Sequence, residues 1–274
     1  MQDKRKISMD TDKLSEGSLN TDQLKKYAKD LAEVYRSAKE KKRELEDLSK
    51  QLMRFADDLN KSNLEIKSAH QELYKAYLDT IHRLVLAAEY KDEDTGDHIR
   101  RMSRYSALIA EKLGLPAKEI QNILYAAPMH DVGKIGIPDT ILLKPGKLTD
   151  EEFDIMKTHT TIGAKILAGS KAEILQIAGE IALSHHEKWN GKGYPQGLTG
   201  DKIPLAARIV GLADVFDALT SRRPYKDPFP AEVAFDIIKK ERGEHFDPGI
   251  VDVFLENTHN ILKIREEIGP TEDL

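Results

Sequence analysis

The sequence predicts an all-α fold, a helical bundle preceded by one long N-terminal helix. Over the 274 residues, no segment shows the sustained alternation of apolar and polar side chains that a half-buried β-strand requires. Between residues 24 and 73, apolar side chains recur every seven positions. Further along the chain they recur at intervals of three and four. The first spacing is typical of a coiled coil and the second of helices packed in a bundle.

The N-terminal part of the chain divides into a polar end and a heptad-patterned helix. Residues 1–20 are polar, and we expect them to be flexible. Over residues 21–79 we expect one helix with eight apolar residues at a single heptad position: Leu24, Leu31, Ala38, Leu45, Leu52, Leu59, Ile66 and Leu73. The position four residues further on is more polar. This pattern predicts a parallel two-stranded coiled coil and hence a homodimer, the alternative being a long helix folded back on its own domain.

The long helix can extend close to the first candidate site residue. No proline or glycine interrupts residues 18–95, so the helix can run almost to Asp94, four residues before His98. A twist or register shift in the coil could therefore reach the site mechanically, which we state as a hypothesis.

Composition limits the classes of function that the chain can have. Its 42 Lys and Arg against 47 Asp and Glu give a net charge of -5, so no global basic field points to nucleic acid or an anionic membrane. There is no cysteine, which excludes disulfides, thiolate metal sites and cysteine nucleophiles. The sequence has neither an apolar run of the ~20 residues that a membrane span needs nor a signal peptide. We therefore expect a cytoplasmic protein that has no membrane span and binds no DNA or RNA duplex.

Residues 80–274 are expected to form one helical domain, and its first helices carry three candidate residues. His98 lies in the first turn of a helix that ends at a glycine. The next helix, roughly residues 117–131, ends on the adjacent pair His130 and Asp131. A proline at position 128 should kink this helix just before the pair, because proline cannot donate to the preceding turn.

Further histidines follow a predicted loop over residues 136–146. A capping box at residues 149–152 starts a helix that carries His159 on its inward side. Another helix, from about residue 172, ends with His185 and His186. Adjacent side chains on a helix diverge by about 100°, so both histidines could serve one site only if that site were wide.

Residues 186–197 form a loop with three glycines, a proline and the only tryptophan of the chain. Aromatic side chains in such a loop are typical of a substrate lid or of a surface that binds a protein partner. The alternative is that they only hold a long loop against the domain.

Imidazole and carboxylate side chains are thus spread over several predicted helices. The His130-Asp131 pair can bind one cation, or its carboxylate can bridge two. Such a pair alone is weak support, because it also occurs at surfaces and in cores. Asp214, on a helix predicted over residues 204–220, extends the set. Ligands contributed by several helices are typical of a metal centre in the core of a bundle.

Four motifs together carry a resemblance to a known family: HDVGK at residues 130–134, HHEKWNGKGYP at 185–195, GLADVFDAL at 211–219 and SRRPYK at 221–226. The chain resembles the HD-GYP family of bacterial phosphodiesterases, a subgroup of the HD-domain metallohydrolases, over roughly residues 80–265. The resemblance implies an HD-type bundle of about seven helices with a metal centre in its core. It assigns residues 80–274 as an HD-GYP domain and leaves the coiled coil outside.

The resemblance also implies roles for particular residues, carried over by matching position. The implied metal ligands are His98, His130, Asp131, His159, His185, His186 and Asp214, with Asp131 bridging two metals. Lys134 would contact a substrate phosphate. Tyr194, flanked by Gly193 and Pro195 in the GYP loop, would hold the phosphate or ribose of a dinucleotide together with Arg223 and Lys226.

The number and identity of the metals depend on one further position. Where a subset of the family has a glutamate that binds a third metal, this sequence has Asp94, a shorter carboxylate. We therefore expect two or three divalent ions, the alternative being that Asp94 belongs to an acidic surface cluster over residues 92–94. Imidazole and carboxylate ligands suit iron and manganese, and also zinc or nickel.

The implied reaction is metal-dependent hydrolysis of cyclic di-GMP to linear pGpG, and by a second cut to GMP, with a metal-bridging hydroxide as the nucleophile. One alternative is a receptor or scaffold that binds cyclic di-GMP without catalysis and signals through the GYP loop and the coil. Another is a hydrolase of a different cyclic dinucleotide. Binding of cyclic di-GMP without release of pGpG in the presence of Mn²⁺ or Fe²⁺ would distinguish the receptor from the enzyme. Substrate profiling would distinguish a hydrolase of another cyclic dinucleotide.

Overall fold

The computed structural model describes residues 21–89, 91, 96–221 and 227–269. All the regular secondary structure in these ranges is helical, which confirms the predicted all-α fold class. The α-helices are α1 Thr21–Glu89, α2 Gly96–Lys112, α3 Ala117–Ala126, α4 Asp139–Leu142, α5 Asp150–Lys157, α6 His159–Leu167, α7 Glu173–Ser184, α8 Leu205–Thr220, α9 Ala231–Lys240, α10 Pro248–Glu256 and α11 Thr258–Glu267. Short 3₁₀ turns lie at Ala127–Met129, Val132–Gly136 and Gly200–Lys202.

The chain divides into two compact units, with the boundary between Leu73 and Tyr74. In the first unit, every described residue is exposed, including the large apolar side chains of the heptad stripe. Leu31 is 70% exposed and Leu52 67%. Within the described ranges, no helix has the length and apolar character that a membrane crossing needs.

The second unit has an apolar core to which α2, α3, α7, α8, α9, α10 and α11 all contribute. Aromatic rings pack edge to face in this core. The ring centroid of Phe216 lies 5.5 Å from that of Tyr105 and 5.1 Å from that of Phe254. Burial of such large side chains supplies most of the driving force for folding. The last turns of α1 also belong to this unit, since Val85 is only 3% exposed.

Helix starts follow the local sequence closely. Thr149 and Glu152 form the predicted capping box: the Glu152 N–H donates to Thr149 Oγ1 over 3.3 Å, and the Thr149 N–H donates to Glu152 Oε2 over 2.8 Å. At the start of α10, Asp247 is the N-cap and Pro248 is the first helical residue, where proline is common because its missing N–H would have no partner in the helix.

Helix ends differ more from the prediction, because the domain is cut into more and shorter helices. The helix predicted over residues 117–131 stops at Ala126 and continues as a 3₁₀ turn around Pro128. The predicted loop 136–146 contains α4, and the stretch from 149 to 167 forms α5 and α6 rather than one helix. Each break places a functional candidate at the end of a helix, where the backbone direction changes.

Lys91 fastens the segment that follows the HDVGK motif. Its Nζ donates to the carbonyl oxygens of Ile135 and Ile137, over 3.1 and 2.6 Å, and lies 3.2 Å from Asp139 Oδ1. These contacts hold the 3₁₀ turn Val132–Gly136, which carries Lys134, against the chain just beyond the end of α1.

Candidate metal centre

Seven of the predicted metal ligands converge inside the second unit. Their ligand atoms form two groups in which all atoms lie within 4.8 Å of one another. The first group contains Asp131, His159, His185 and His186, and the second contains His98, His130 and Asp214. Asp94, Arg223 and Lys226 lie outside the described residues.

The elements deliver these side chains mainly from helix ends. His98 is in the first turn of α2, and His159 is the first residue of α6. The pair His130 and Asp131 sits between two 3₁₀ turns. His185 is the C-cap of α7, and the centroid of its ring lies only 4.0 Å from that of the His186 ring. Both can therefore serve one narrow group.

Hydrogen bonds at Nδ1 fix the tautomer of most of the imidazoles. Three Nδ1 atoms lie within hydrogen-bond distance of backbone carbonyl oxygens: His130 to Ala127 at 3.1 Å, His159 to Met156 at 2.7 Å and His185 to Ile181 at 3.0 Å. A carbonyl oxygen can only accept, so each Nδ1 carries the proton. Each ring then turns Nε2 toward the interior, the orientation from which it can bind a metal.

The fourth such ring, His98, uses a carboxylate that the sequence analysis missed as a site residue. His98 Nδ1 lies 2.8 Å from Oδ2 of Asp217, which is fully buried. Asp217 also accepts from Arg101 Nε over 2.7 Å and from Ser221 Oγ over 3.0 Å. The available signal was the three-residue spacing shared by Asp214 and Asp217 on α8 and by His98 and Arg101 on α2, which places each pair on one helix face.

Asp131 joins the two groups. Its Oδ1 lies 3.2 Å from His159 Nε2 and 3.4 Å from His185 Nε2, both in the first group. Its Oδ2 lies 3.3 Å from Nε2 of His130 in the second group and 2.7 Å from Nζ of Lys134. One carboxylate thus turns one oxygen toward each group, the arrangement that a bridging ligand requires.

The protonation states suit cation binding. Burial alone would raise the pKa of Asp131, but the neighbouring charge of Lys134 and the contacts with His130 hold it well below its usual value. Burial lowers the pKa of both His185 and His186. The first group therefore combines the ionised carboxylate of Asp131 with the neutral imidazoles of His185 and His186.

Several buried ligand atoms have no hydrogen-bond partner in the part of the chain that the structure describes. They are Asp131 Oδ1, His159 Nε2 and His185 Nε2, and the contacts among them lack hydrogen-bond geometry. An unsatisfied buried polar atom costs about 1–3 kcal/mol. A divalent cation would satisfy all three at once, so the donor set fits a metal such as iron, manganese or zinc.

Two glycines allow the backbone to approach the ligands closely. A Cβ on Gly133 would lie 1.9 Å from the carbonyl oxygen of His159, and one on Gly211 would lie 2.5 Å from that of His185. The 3₁₀ turn after Asp131 therefore packs directly against the start of α6, and α8 against the end of α7.

The predicted substrate residues of the GYP loop lie beside the first group. The Tyr194 ring is 4.8 Å from the His186 ring, at an interplanar angle of 33°, and 6.1 Å from the Phe153 ring. Burial, and then the charges of Asp131 and Asp214, raise the pKa of Tyr194, so its hydroxyl stays protonated and can donate a hydrogen bond. Gly193 precedes it, and the bond from Tyr194 to Pro195 is cis.

Comparison with known proteins agrees with this geometry. A family model described as HD domain matches residues 84–250, which include the seven converging residues. The chain belongs to the HD domain family, and the predicted resemblance to its HD-GYP members is confirmed.

Relatives give the chain a more detailed setting. It is 46% identical over 214 residues to a cyclic di-GMP phosphodiesterase of Thermotoga maritima, covering 77% of this chain and 58% of the relative. It is 48% identical over 186 residues to the cyclic di-GMP phosphodiesterase response regulator RpfG of Xanthomonas campestris, covering 68% and 49%. The chain thus spans about half the length of the curated relatives it matches.

A solved structure supports the fold alone. The crystal structure of a cyclic GMP-AMP specific phosphodiesterase of Vibrio cholerae matches with a TM-score of 0.52 and 21% identity. The match covers 71% of this chain and 51% of that one.

The close approach at Gly133 predicts a specific sensitivity. Gly133→Ala should push the 3₁₀ turn off His159, lowering metal content and reducing the free energy of unfolding by about 1–3 kcal/mol. The matched control is Gly179→Ala in α7, where the new Cβ would lie 3.8 Å from Leu167 Cβ. That control should gain up to about 1 kcal/mol from helix propensity and keep its metal. Urea unfolding and mass-spectrometric metal analysis measure both, and equal behaviour of the two variants would contradict the packing argument.

Proposed function

We propose that this chain is a metal-dependent phosphodiesterase that hydrolyses cyclic di-GMP to linear pGpG and, by a second cut, to GMP. The observation that carries the proposal is the position of Asp131, with one oxygen toward each of two groups of potential ligands. The choice of cyclic di-GMP as the substrate is supported by relatives named as cyclic di-GMP phosphodiesterases, at 46% and 48% identity.

The proposed cofactors are two divalent ions, iron or manganese first. The residues that would hold them are His98, His130, Asp131, His159, His185, His186 and Asp214. When bound, such ions supply Lewis acidity toward the phosphoryl oxygens and activate the attacking water. A third ion held with the help of Asp94 rests on the sequence resemblance.

Positive charge and hydrogen-bond donors of the chain itself would act on the substrate. Lys134 is 17% exposed and lies beside Asp131, so its ammonium group can face a substrate phosphate at the rim of the site. This local positive charge lies at the site itself, where the net charge of -5 for the whole chain provides no attraction for a dinucleotide. The protonated hydroxyl of Tyr194 is a suitable donor to a phosphate or ribose oxygen. Arg223 and Lys226 are proposed to complete the phosphate contacts.

Two alternatives stay in view. A receptor that binds cyclic di-GMP without catalysis would not need buried imidazoles with a fixed tautomer, which favours the enzyme. A different cyclic dinucleotide as substrate is suggested by a Vibrio cholerae relative, 42% identical over 197 residues, that is named 3'3'-cGAMP-specific phosphodiesterase 2. The cytoplasmic location also stays a prediction from the sequence.

Hydrolysis and metal content together test the proposal. Purified without oxygen and supplied with Fe²⁺ or Mn²⁺, the protein should convert cyclic di-GMP to pGpG. Asp131→Ala should lose both metal and activity, since it removes the bridging carboxylate. Lys134→Ala should keep its metal and lose about 10²-fold in turnover, the typical effect of removing one group that stabilises transition-state charge. Chromatography of the products and elemental analysis measure these effects.

The matched control is Lys202→Ala, because Lys202 is an exposed lysine in a 3₁₀ turn. This substitution should change neither the metal content nor the turnover of cyclic di-GMP. Binding of cyclic di-GMP without product would favour the receptor, and normal hydrolysis by Asp131→Ala would overturn the assignment of the site.

We also propose that the heptad stripe of α1 pairs two copies of the chain. The large apolar side chains of this stripe are more than half exposed in the single chain, which supports an intermolecular coil. A protein partner at the GYP loop is a further proposal, for which the aromatic loop sequence is the support.

Leu52→Asp combined with Leu59→Asp should convert the dimer to a monomer, because both introduce charge into the apolar seam. Lys61→Asp places the same side chain outside the seam and should leave the dimer intact. Sedimentation equilibrium measures the mass. A protein that is monomeric before substitution would refute the coil, and unchanged turnover in the monomeric variant would refute mechanical coupling to the site.

A third metal predicts its own signature. Asp94→Ala should lower the metal stoichiometry while the ions held by the other seven residues are retained. Unchanged stoichiometry would assign Asp94 to the acidic surface cluster.

A further inference from the structure

Glu187 is a buried carboxylate next to the paired histidines, and the proposed reaction gives it no role. It is 6% exposed. Its Oε1 accepts a hydrogen bond from the backbone N–H of Gln196 over 2.7 Å, and its Oε2 accepts one from Leu198 over 2.9 Å. One side chain thus holds the backbone directly after the Tyr194-Pro195 bond.

The loop is also closed from its other side. The Tyr194 N–H donates to the carbonyl oxygen of His186 over 3.2 Å. A Cβ on Gly193 would lie 2.3 Å from the Lys188 nitrogen and 2.5 Å from the Glu187 Cα. The GYP loop therefore folds back onto the His186-Glu187 segment with no space between the two backbones.

This closure brings the Tyr194 ring onto His186. The centroids of the Tyr194 and His186 rings are 4.8 Å apart, and the His186 centroid also lies 4.0 Å from that of the His185 ring. The other imidazoles of the centre are oriented by hydrogen bonds at Nδ1, whereas the contacts that the structure gives the His186 ring are with other rings. Aromatic contacts of this kind contribute about 0.5–1.5 kcal/mol.

We propose that Glu187 is a positioning residue that keeps the GYP loop closed, so that Tyr194 holds His186 against the ligand group around Asp131. The GYP loop then has a structural task in the metal centre as well as its proposed contact with substrate. The inference rests on the proposed function only in that His186 ligates a metal.

Metal affinity is the direct readout, measured by competition titration with Mn²⁺ and Zn²⁺ against a chelator. In Glu187→Gln, the amide NH₂ faces a backbone N–H and cannot accept a hydrogen bond from it. Residue 187 therefore keeps only one of its two hydrogen bonds to the loop backbone. The affinity for the ion that His186 would help to bind should fall by about 10–100-fold, which is the usual effect of removing a partner that orients a ligand. The control is Glu244→Gln, because Glu244 accepts from Asn190 Nδ2 over 2.9 Å on the same loop but is exposed. It should keep full affinity.

A pair of variants at Tyr194 tests the ring contact separately, in case Glu187→Gln folds poorly. Tyr194→Phe keeps the ring and should bind metal as tightly as the unaltered chain. Tyr194→Ala removes the ring and should lose affinity to the same degree as Glu187→Gln, with unchanged helix content by circular dichroism. Unaltered affinity in both Glu187→Gln and Tyr194→Ala would overturn the inference, and so would an equal loss in Tyr194→Phe and Tyr194→Ala.

The outcomes separate this inference from the proposed function. Unaltered metal affinity in these variants, with cyclic di-GMP still hydrolysed, would refute the positioning role alone. Reduced affinity in a protein that hydrolyses no cyclic di-GMP would support the positioning role and refute the reaction.

Discussion

The hydrogen bonds at imidazole Nδ1 are the constraint on which the rest of the site depends. Each joins a buried ring to an acceptor that belongs to the backbone or, for His98, to the fully buried Asp217. The acceptors cannot donate, so the rings must keep the proton on Nδ1 and turn Nε2 inward. A bundle interior normally excludes unsatisfied nitrogen atoms such as Nε2 of His159 and of His185, because each one costs folding free energy. These nitrogen atoms cluster around Asp131, as expected if they bind a cation there.

The fold produces this arrangement by ending its helices at the site. His130, His159 and His185 all lie where a helix starts or stops, and there the backbone direction changes sharply. Gly133 and Gly211 let the neighbouring backbones approach to distances that any side chain would prevent. The ionic balance follows from the same packing, since Lys134 offsets the charge of Asp131 while Arg101 offsets that of Asp217. Arg101 and Asp217 lie on α2 and α8, two helices that also contribute side chains to the apolar core.

Periodicity in the sequence predicted the helical class, the long first helix and the capping box, since these depend on local spacing and on neighbouring side chains. The seven converging residues were predicted because their motifs match a family, and spacing alone left His185 and His186 apart by about 100°. The helix was expected to end on this pair, whereas α7 ends at Ser184 with His185 as its C-cap, and the two ring centroids lie 4.0 Å apart. For Asp217 the only signal was its three-residue spacing from Asp214, because its role depends on a second helix that the folded chain brings near. The role of Glu187 depends on the backbone of a loop, which spacing does not predict. Helix ends were also misplaced, as tertiary contacts decide where a weak boundary falls.

The central claim is that Asp131 lies between two metal ions. Anomalous X-ray diffraction from crystals grown without oxygen, recorded on both sides of the iron and manganese absorption edges, tests it most directly. Two anomalous peaks are expected, one among Asp131, His159, His185 and His186 and the other among Asp131, His98, His130 and Asp214. Crystals with full metal supplementation that show no peak beside Asp131, with the imidazoles hydrogen-bonded to water alone, would contradict it.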